Sequence, residues 1–332
     1  MSSAAGAVAR WIAPFLTVAA VAGTGALVAP APAPSAPAPA TRLAADANPL
    51  AGRPFYVNPA SKAMRALPGN SDPLLAAVAN TPTAYWMDHI STPAIDAKYI
   101  ADAQAAGTTP ILALYGIPNR DCGSYAAGGF GSAGAYRGWI DGVAAAIGSG
   151  PAAVVLEPDA LAMIDCLSPG QQQERLDLIR YAVDTLSRNP ATGVYVDAGH
   201  PRWAAADVIA GRLNQVGIEK ARGFSLNTAN FFTTEESVGY GQAVSGMTGG
   251  KPFVIDTSRN GAGPVEGDPL YWCNPSGRAL GVAPTTNTGN PQVDAFLWVK
   301  RPGESDGSCR GAPSAGTFVS SYAIDLARNA GW

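Results

Sequence analysis

Short apolar runs rich in β-branched and aromatic residues alternate with Ala-rich segments after residue 50. Such runs predict buried strands, and the segments between them have helical length and spacing. The predicted strands are PFYVN, TAYWMD, PILALYGI, AAVVLEPD, GVYVDAG, GFSLN, PFVIDT and DAFLWVK. The clearest predicted helices are AYRGWIDGVAAAIG, PGQQQERLDLIRYAVDTLSRN and the terminal GTFVSSYAIDLARNAGW. Pro169 and the stretch from Gln171 to Glu174 suit a helix start in the second of these.

This alternation predicts an α/β fold. About eight repeats of a strand followed by a helix imply a parallel sheet. A sheet of that length closes most economically on itself, so we expect a single domain with a distorted parallel (β/α) barrel, TIM-like, of about seven to eight strands. A doubly wound open sheet is the alternative.

Polar side chains appear at the ends of almost all predicted strands. They are Asp88, Tyr115, Glu157 with Asp159, Asp197, Asn227, Asp256 and Lys300. In a parallel barrel these ends lie on one face, where the loops build an active site. We therefore expect the acidic end of VVLEPDALAMIDC to point into a shared cleft, with the intervening proline fixing the backbone that aims Asp159.

The N-terminal segment predicts export. Residues 1–29 carry one positive charge, Arg10, followed by an apolar run, which is typical of a signal peptide. Cleavage sites of small residues extend as far as residue 47, and an uncleaved membrane anchor is the alternative, because about 18 apolar residues just span a bilayer. Pro and Ala alternate in PAPAPSAPAPATR, residues 30–42, which predicts an extended linker over residues 30–47. The folded domain is expected over residues 48–332 of a secreted protein.

Charge and cysteine content narrow the partners. The formal net charge is -3 and no basic run occurs, which argues against nucleic acid and anionic membranes as partners. The four cysteines of an exported chain predict disulfides, with three pairings open. Without a C-x-x-C motif and with two histidines, neither a metal site nor a cofactor is expected. A monomer is the default expectation.

Three carboxylates lie beyond strand ends in loops that also carry cysteines. They are Asp121 in NRDC, Asp159 in EPDALAMIDC and Asp306 in GESDGSC. Pairing Cys122 with Cys166 would clamp the first two loops, and pairing Cys273 with Cys309 would clamp the third, so we favour these pairings. Any single Asp is better explained as a helix cap or ion-pair partner. Three on one face instead predict that one carboxyl stays protonated beside a charged one, as glycosidic cleavage requires.

Aromatic residues fit the same chemistry. Trp86, Trp203 and Trp272 fall at strand ends or in loops, beside polar neighbours such as Asp88, His200 and Asn274. Flat apolar rings with polar surroundings suit a sugar, although core packing is an equal alternative for each. Trp139 and Trp298 are assigned to the core. GFGSAG matches the sequence pattern of a dinucleotide-binding loop, and GESDG matches that of a nucleophile elbow. Neither has the surrounding sequence that its motif requires, so both are interpreted as turns.

Taken together, several motifs resemble glycoside hydrolase family six, the cellulases that include endoglucanases and cellobiohydrolases. The resemblance runs from about Asn58 to Asp306 and is carried by YWMD, LYGIPNRDC, VVLEPDALAMIDC, VYVDAGHPRW, SLNTANF, FVIDTSRNG, YWCNP and FLWVKRPGESDG. It implies a distorted α/β barrel that cleaves β-1,4-glucan, cellulose and cello-oligosaccharides, with inversion of the anomeric centre.

The resemblance also implies roles for single residues. Asp159 matches the general acid, Asp121 the neighbour that keeps it protonated, and Asp306 the carboxylate most often proposed as base, through a chain of waters in some accounts. Tyr115 matches the tyrosine beside the distorted sugar, and Asp197 an acidic residue near the cleavage point. Sugar-binding positions are matched by Trp86, Trp203, Trp272, His200, Asn230, Lys300 and Glu304, and we add Asp88 from its strand end.

The compact segment from Trp272 to Asp306 predicts an open cleft and internal cleavage, with GVAPTTNTGNPQ as its only flexible-looking part. We expect no separate cellulose-binding module after the last predicted helix, and therefore expect soluble or amorphous glucan as the substrate. The alternatives are a cellobiohydrolase, a hydrolase of another β-glucan, and a secreted glycan-binding protein without catalysis. An NAD-dependent enzyme is a further alternative, from a different class of function.

Overall fold

Seven strands form one parallel sheet whose spatial order is the order along the chain. The computed structural model describes residues 47–332, so the predicted signal peptide and nearly all of the predicted linker lie outside the described residues. The strands are β1 Tyr85–Met87, β2 Ile111–Leu114, β3 Ala152–Leu156, β4 Thr192–Asp197, β5 Gly223–Leu226, β6 Phe253–Asp256 and β7 Val293–Leu297.

Helices follow most of the strands, as the alternation predicts. They are α1 Lys62–Ala66, α2 Pro73–Ala79, α3 Pro93–Ala105, α4 Ala133–Ile147, α5 Pro169–Leu186, α6 Ala206–Gln215, α7 Thr234–Met247 and α8 Ser320–Asn329. The predicted start of α5 is confirmed, because Ser168 and Gln171 form a capping box around Pro169. A long irregular segment takes the place of a helix between β6 and β7. Within residues 47–332, no helix is both long and apolar enough to cross a membrane.

Alternate strand residues face two different cores. Ala113, Val155, Tyr195 and Leu297 belong to a cluster inside the curved sheet. Their sequence neighbours pack outward, against helices α3 to α7, in the largest cluster of the protein. Because both faces are covered, the strands read as continuous apolar runs rather than as alternating ones. The last inward-facing residue of β4 is therefore Asp197, and polar groups enter the barrel only at its carboxyl end.

The barrel is distorted where its first and last strands meet. A single backbone hydrogen bond, from Ala84 N to Trp298 O at 2.9 Å, joins the two edges. Thr285 pairs antiparallel with Phe296 of β7, so the segment predicted to be flexible lies against the strand. Trp298 is fully buried, as expected, and its indole N–H donates to Val282 O.

The prediction of a strand at PFYVN is wrong. Phe55 makes one parallel bridge with Thr109, at the start of β2, and no strand follows. Pro54 lacks a backbone N–H, and the chain turns at Asn58, whose carbonyl accepts a hydrogen bond from Ser61 N. The sheet therefore has seven strands rather than eight.

Candidate active site

Asp159 is aimed by the turn that ends β3. Glu157 and Asp159, on either side of Pro158, both have left-handed backbone, with φ of 51° and 69°. The Asp159 N–H donates to Asp197 Oδ1 at 3.0 Å, and the Tyr115 hydroxyl lies 3.5 Å from Asp159 Oδ2. Non-glycine residues rarely adopt such a conformation unless their surroundings impose it, and here it directs the Asp159 side chain toward Tyr115.

The surroundings of Asp159 favour its protonated form. Burial raises the pKa of this carboxyl well above its ordinary value, and the negative charges of Asp197 and Asp121 raise it further. Tyr115 and Lys300 oppose this rise without cancelling it. A carboxyl with a raised pKa keeps its proton to higher pH, and a proton that can be given is the requirement for a general acid.

Asp197 lies beneath Asp159 rather than on the surface of the cleft. It is 1% exposed, and its second oxygen accepts hydrogen bonds from the hydroxyls of Ser225 and Thr228. Burial raises the pKa of Asp197 to about 6, and these hydrogen bonds limit the rise. Asp197 therefore lies behind Asp159, where it can orient and polarise that side chain. The hydrogen bonds described for Asp197 are all made to groups of the protein.

Asp121 belongs to a compact loop closed by the pairing of Arg120 with Gly128. Its carboxylate accepts a hydrogen bond from Ala126 N at 2.7 Å, and burial raises its pKa. Arg120 donates to Tyr115 O at 2.6 Å, and its guanidinium lies 4.3 Å from the centre of the Tyr115 ring. The loop therefore connects Asp121 rigidly to Tyr115, next to the predicted acid.

Asp306 has the opposite electrostatic setting. Its carboxylate forms ion pairs with Arg259 at 2.8 Å and with Lys300 at 2.9 Å. Burial acts to raise the pKa of Asp306, but the two cations outweigh it and lower the pKa to about 2. Asp306 is consequently an anion at every pH at which a folded enzyme would work. Lys300 connects the two halves of the site, because it pairs with Asp306 and also lowers the pKa of Asp159.

Both disulfides lie beside these carboxylates. Cys122, next to Asp121, is joined to Cys166, and Cys273 is joined to Cys309, three residues beyond Asp306. The pairing is the one expected from the argument that each bond clamps a catalytic loop.

The three tryptophans lie in different settings. Trp86 is the central residue of β1 and not a loop residue, its indole N–H donates to Val299 O, and its ring meets that of Tyr115 edge-on at 5.3 Å. Trp203 is 37% exposed and packs against His200. Trp272 is partly buried, with its ring centre 5.9 Å from that of Tyr125.

His200 and Asn230 are buried behind these rings. The His200 ring stacks on Phe232 at 4.3 Å and lies 3.3 Å from the Tyr271 hydroxyl. Burial lowers the pKa of His200 to about 3, so the imidazole is neutral and supports Trp203 by packing. Asn230 is 8% exposed, and its Oδ1 has no hydrogen-bond partner among the described residues. The Oδ1 atom itself is buried, so it has no accessible surface to offer to a ligand in this conformation.

Two predicted sugar-binding residues are engaged in contacts within the protein. Glu304 is buried and pairs with Lys62 at 3.2 Å and with Arg301 at 2.8 Å. Asp88 accepts a hydrogen bond from Ile90 N and lies 3.5 Å from Arg120.

Glu157 does not point into the cleft, so that expectation is wrong. It is 1% exposed and accepts hydrogen bonds from Gly116 N and Ile117 N, which follow Tyr115. Burial raises its pKa to about 7. Its place two residues before Asp159 suggested a second cleft carboxylate. In this turn, however, Pro158 separates the two side chains, and Glu157 faces the end of β2 instead.

Two further residues organise the site: Arg259, which the sequence did not single out, and Asp256, which it identified only as a polar strand end. Arg259, in DTSRNG, is fully buried and donates to Asp306, to the Tyr322 hydroxyl and to Ala229 O. Asp256 accepts backbone N–H groups of Ala229, Ser258, Val299 and Lys300, and so holds the loops after β5, β6 and β7 together. A basic residue three positions after a strand-end carboxylate was the available signal, but its partner is 47 positions away.

Two loops beside the predicted cleft contact each other, which the prediction of an open cleft did not include. Tyr125, from the loop after β2, contacts Trp272 from the loop after β6. It also lies against Gly307, where an added Cβ would be 2.6 Å from the Tyr125 ring. The loops that carry Asp121 and Asp306 therefore meet at this point. The compactness of the later loop gave no indication of the reach of the earlier one.

No group of three or more His, Cys, Asp or Glu among residues 47–332 is arranged to hold a metal ion. GFGSAG is an irregular segment that leads into α4 at Ala133, and Gly129 within it has φ of 94° and packs directly on Ile117 O, which leaves no room for a Cβ.

Comparison with known proteins gives consistent matches. Residues 48–330 match the family model described as Glycosyl hydrolases family 6. The structure of the endoglucanase Cel6 from Mycobacterium tuberculosis, in complex with methyl-cellobiosyl-4-deoxy-4-thio-β-D-cellobioside, is 63% identical, with a TM-score of 0.84 over 86% of this chain and 100% of that one.

Two curated proteins show the range of similarity. Endoglucanase A of Cellulomonas fimi is 48% identical over 286 residues, which are 84% of this chain and 62% of that protein. A probable 1,4-β-D-glucan cellobiohydrolase C of Aspergillus terreus is 32% identical over 361 residues, covering 86% and 76% of the two chains. The present chain thus spans less than two thirds of the first of these relatives.

Proposed function

Because the chain belongs to glycosyl hydrolase family 6, we propose that it hydrolyses internal β-1,4-glucosidic bonds of glucans, with inversion. The similarity is higher to proteins named endoglucanases than to the cellobiohydrolase, which supports internal cleavage. The relative from Mycobacterium tuberculosis was solved with a thio-linked cello-oligosaccharide, which supports a β-1,4-glucan as the substrate here.

The observation that carries this proposal is the electrostatic contrast between Asp159 and Asp306. Hydrolysis with inversion needs one protonated carboxyl, which protonates the departing glycosidic oxygen, and one carboxylate that assists the attacking water. Asp159 has a raised pKa and Asp306 has a pKa lowered to about 2. The directions of these two pKa shifts therefore favour the protonation states that the reaction requires.

Asp159 acts in this mechanism as the general acid. Asp121 and Asp197 maintain its proton through their negative charge, and Tyr115 holds its outer oxygen. As the glycosidic bond breaks, positive charge develops on the sugar ring, and the nearby Asp121 carboxylate stabilises it. Transfer of the proton leaves Asp159 ionised, and Lys300 offsets this new negative charge.

Asp306 acts as the anion on the side of the water. Its Oδ2 is occupied by Arg259 and Asn274 N, whereas Oδ1 faces Lys300 alone and retains a lone pair for water. A carboxylate with so low a pKa is a weak base, so we propose that it orients the water and accepts its proton only as the bond to the sugar forms, directly or through a second water.

The glucan chain would lie along the predicted tryptophan rings, of which Trp203 is exposed and Trp86 and Trp272 are partly exposed. These rings offer flat surfaces to the apolar faces of glucosyl units, and Lys300 offers a polar contact to hydroxyls. Asn230 Oδ1 is buried, so it would contribute only after its surroundings move. Glu304 and Asp88 would first have to exchange their present partners, so we assign them weaker contributions.

The experiment that tests the proposal follows cellohexaose hydrolysis by NMR with resolution of the two anomers. The wild type should release α-anomeric products from internal bonds, and Asp159→Ala should be nearly inactive. Release of β-anomeric products would contradict inversion. If cellohexaose survives intact and yet binds, the protein is a glycan-binding protein that has lost catalysis.

We further propose that the protein is exported. The two disulfides are typical of proteins that fold outside the reducing cytoplasm, and the N-terminal apolar segment supplies the signal. N-terminal sequencing of the protein from culture medium should begin between residues 30 and 48. Recovery of the intact chain in the membrane fraction would favour the anchor instead.

A further inference from the structure

Asn274 makes an unusual set of contacts with the segment that carries Asp306. Its backbone N–H donates to Asp306 Oδ2 at 3.0 Å, and its side-chain Oδ1 accepts the Asp306 N–H at 2.9 Å. Its Nδ2 donates to Gly307 O at 2.8 Å. Asn274 therefore binds the carboxylate of Asp306, the backbone N–H of Asp306 and the carbonyl of Gly307.

These contacts require an amide side chain in this backbone conformation. Asn274 has φ of 47°, which asparagine, aspartate and glycine tolerate better than other residues. The side chain must present an acceptor to Asp306 N and a donor to Gly307 O, and only a primary amide does both. The Cys273–Cys309 disulfide fixes the two segments on either side of this arrangement.

We propose that Asn274 is a positioning residue for catalysis, which fixes the orientation of the Asp306 carboxylate toward the reacting water. The inference rests on the proposed function of Asp306. Arg259 and Lys300 also bind this carboxylate, but through side chains of other segments. Asn274 binds both the carboxylate and the backbone N–H of Asp306. It therefore sets the rotation of the Asp306 side chain relative to its own loop.

Several charged and titratable groups surround this arrangement. Asp306 is faced by Arg259 from the loop after β6, by Lys300 from the segment after β7, and by Tyr322 from α8, whose hydroxyl accepts from Arg259. Asp256 acts on Arg259, and Arg310 donates to Cys273 O. A new negative charge at position 274 would act against the two cations and raise the pKa of Asp306.

The test compares Asn274→Asp, Asn274→Gly and Asp306→Ala with the wild type on a soluble cello-oligosaccharide. Both substitutions at 274 are compatible with the left-handed backbone and keep the N–H that donates to Asp306. Asn189→Asp is the matched control, since Asn189 also donates to a backbone carbonyl, Ala144 O at 2.8 Å, but contacts none of the predicted catalytic residues. kcat, KM, the pH profile and thermal unfolding are measured for each.

We expect kcat to fall at least tenfold in both Asn274 variants, with KM within about threefold of the wild type. In Asn274→Asp alone, the acid limb of the kcat/KM profile should move to higher pH, because the ionisation of Asp306 enters the measured range. Asn189→Asp should keep the wild-type kinetics.

Two outcomes would overturn the inference while leaving the proposed function intact: wild-type kcat in both Asn274 variants while Asp306→Ala is inactive, or a change confined to KM. Full activity of Asp306→Ala would instead remove the proposed role of Asp306, and with it the role of Asn274. Should Asn274→Asp fail to fold, Asn274→Gly decides through kcat and KM.

Discussion

Identical side chains acquire opposite properties in this site. Asp159 and Asp306 are both partly buried aspartates in loops beyond strand ends, yet burial with two neighbouring acids raises the pKa of one, and two cations lower the pKa of the other. The sequence predicts the presence of these carboxylates, because each follows a strand. It does not predict their ionisation states, because Arg259 and Asp197 come from distant segments.

The first prediction concerns the alkaline limb of activity. If Asp159 is the general acid, as proposed, it must be protonated to act, so kcat/KM should fall as the pH rises through its raised pKa. Asp197→Asn removes one negative charge that raises this pKa, so the alkaline limb should move to lower pH. The amide retains an acceptor for Asp159 N. Asp207→Asn, an exposed position on α6, is the control. A profile identical to the wild type would show that Asp197 does not set the ionisation of the acid.

A second prediction concerns stability and Glu157. Its pKa is about 7 in the folded protein against about 4.5 when unfolded, so the folded state binds more protons between these values. This group therefore contributes stability at acid pH that is lost as the pH rises through 7. The shift corresponds to roughly 3 kcal/mol of unfolding free energy, as an order of magnitude.

Glu157→Gln abolishes this titration while keeping an acceptor for Gly116 N and Ile117 N. We expect the variant to lose less stability than the wild type between pH 5 and pH 8, measured by urea unfolding at several pH values. Parallel curves for the two proteins would contradict the assignment of the proton to Glu157.

At the scale of elements, strand and helix order follow from the sequence with little error. Continuous apolar runs such as ILAL and AAVVL are buried on both faces, and the capping residues of α5 mark its start. The sequence did not distinguish PFYVN from the true strands, because its apolar pattern is the same. In the structure Pro54 has no N–H to donate, and Phe55 makes a single bridge with Thr109. It also gave no indication that Tyr125 reaches Trp272, since loop paths depend on contacts distant in sequence.

The loops that carry Asp121 and Asp159 are connected by more than one contact. Besides the Cys122–Cys166 disulfide, Arg175 donates to Asn119 O at 2.8 Å and to Ala160 O at 3.2 Å. Replacement of both cysteines by serine opens a loop of 44 residues and should cost about 4 kcal/mol of stability.

Because Arg175 and Glu157 still connect the same loops, kcat at 25 °C should fall less than tenfold in this double variant. Thermal unfolding and steady-state kinetics check the two parts of the prediction. The Cys273→Ser, Cys309→Ser variant is the comparison, since its sequence separation of 36 gives nearly the same entropic term. If the Cys122→Ser, Cys166→Ser variant is inactive at a temperature where it is still folded, the Cys122–Cys166 disulfide alone maintains the geometry of these loops.

For the whole molecule, the seven-stranded parallel barrel explains why the predicted site residues lie at one end of the sheet. A parallel sheet places every strand's carboxyl end on the same side, and loops closed by disulfides and by Asp256 turn this common edge into a defined site. The fold class could be predicted from the sequence because it depends on periodicity. The shape of the cleft could not, because it depends on where loops such as 119–129 and 261–280 meet.

Tyr125 contacts both Trp272 and Gly307, so it connects the loops that carry Asp121 and Asp306. We expect this contact to limit the entry of a long glucan, because an internal segment would need it to open whereas a chain end could pass beneath it. Tyr125→Ala should therefore raise the loss of viscosity per reducing end released from a soluble cellulose derivative by about twofold or more. Tyr125→Phe retains the ring and should behave as the wild type. If the ratio is unchanged in Tyr125→Ala, the contact opens too readily to limit entry, and internal cleavage depends on the rest of the cleft.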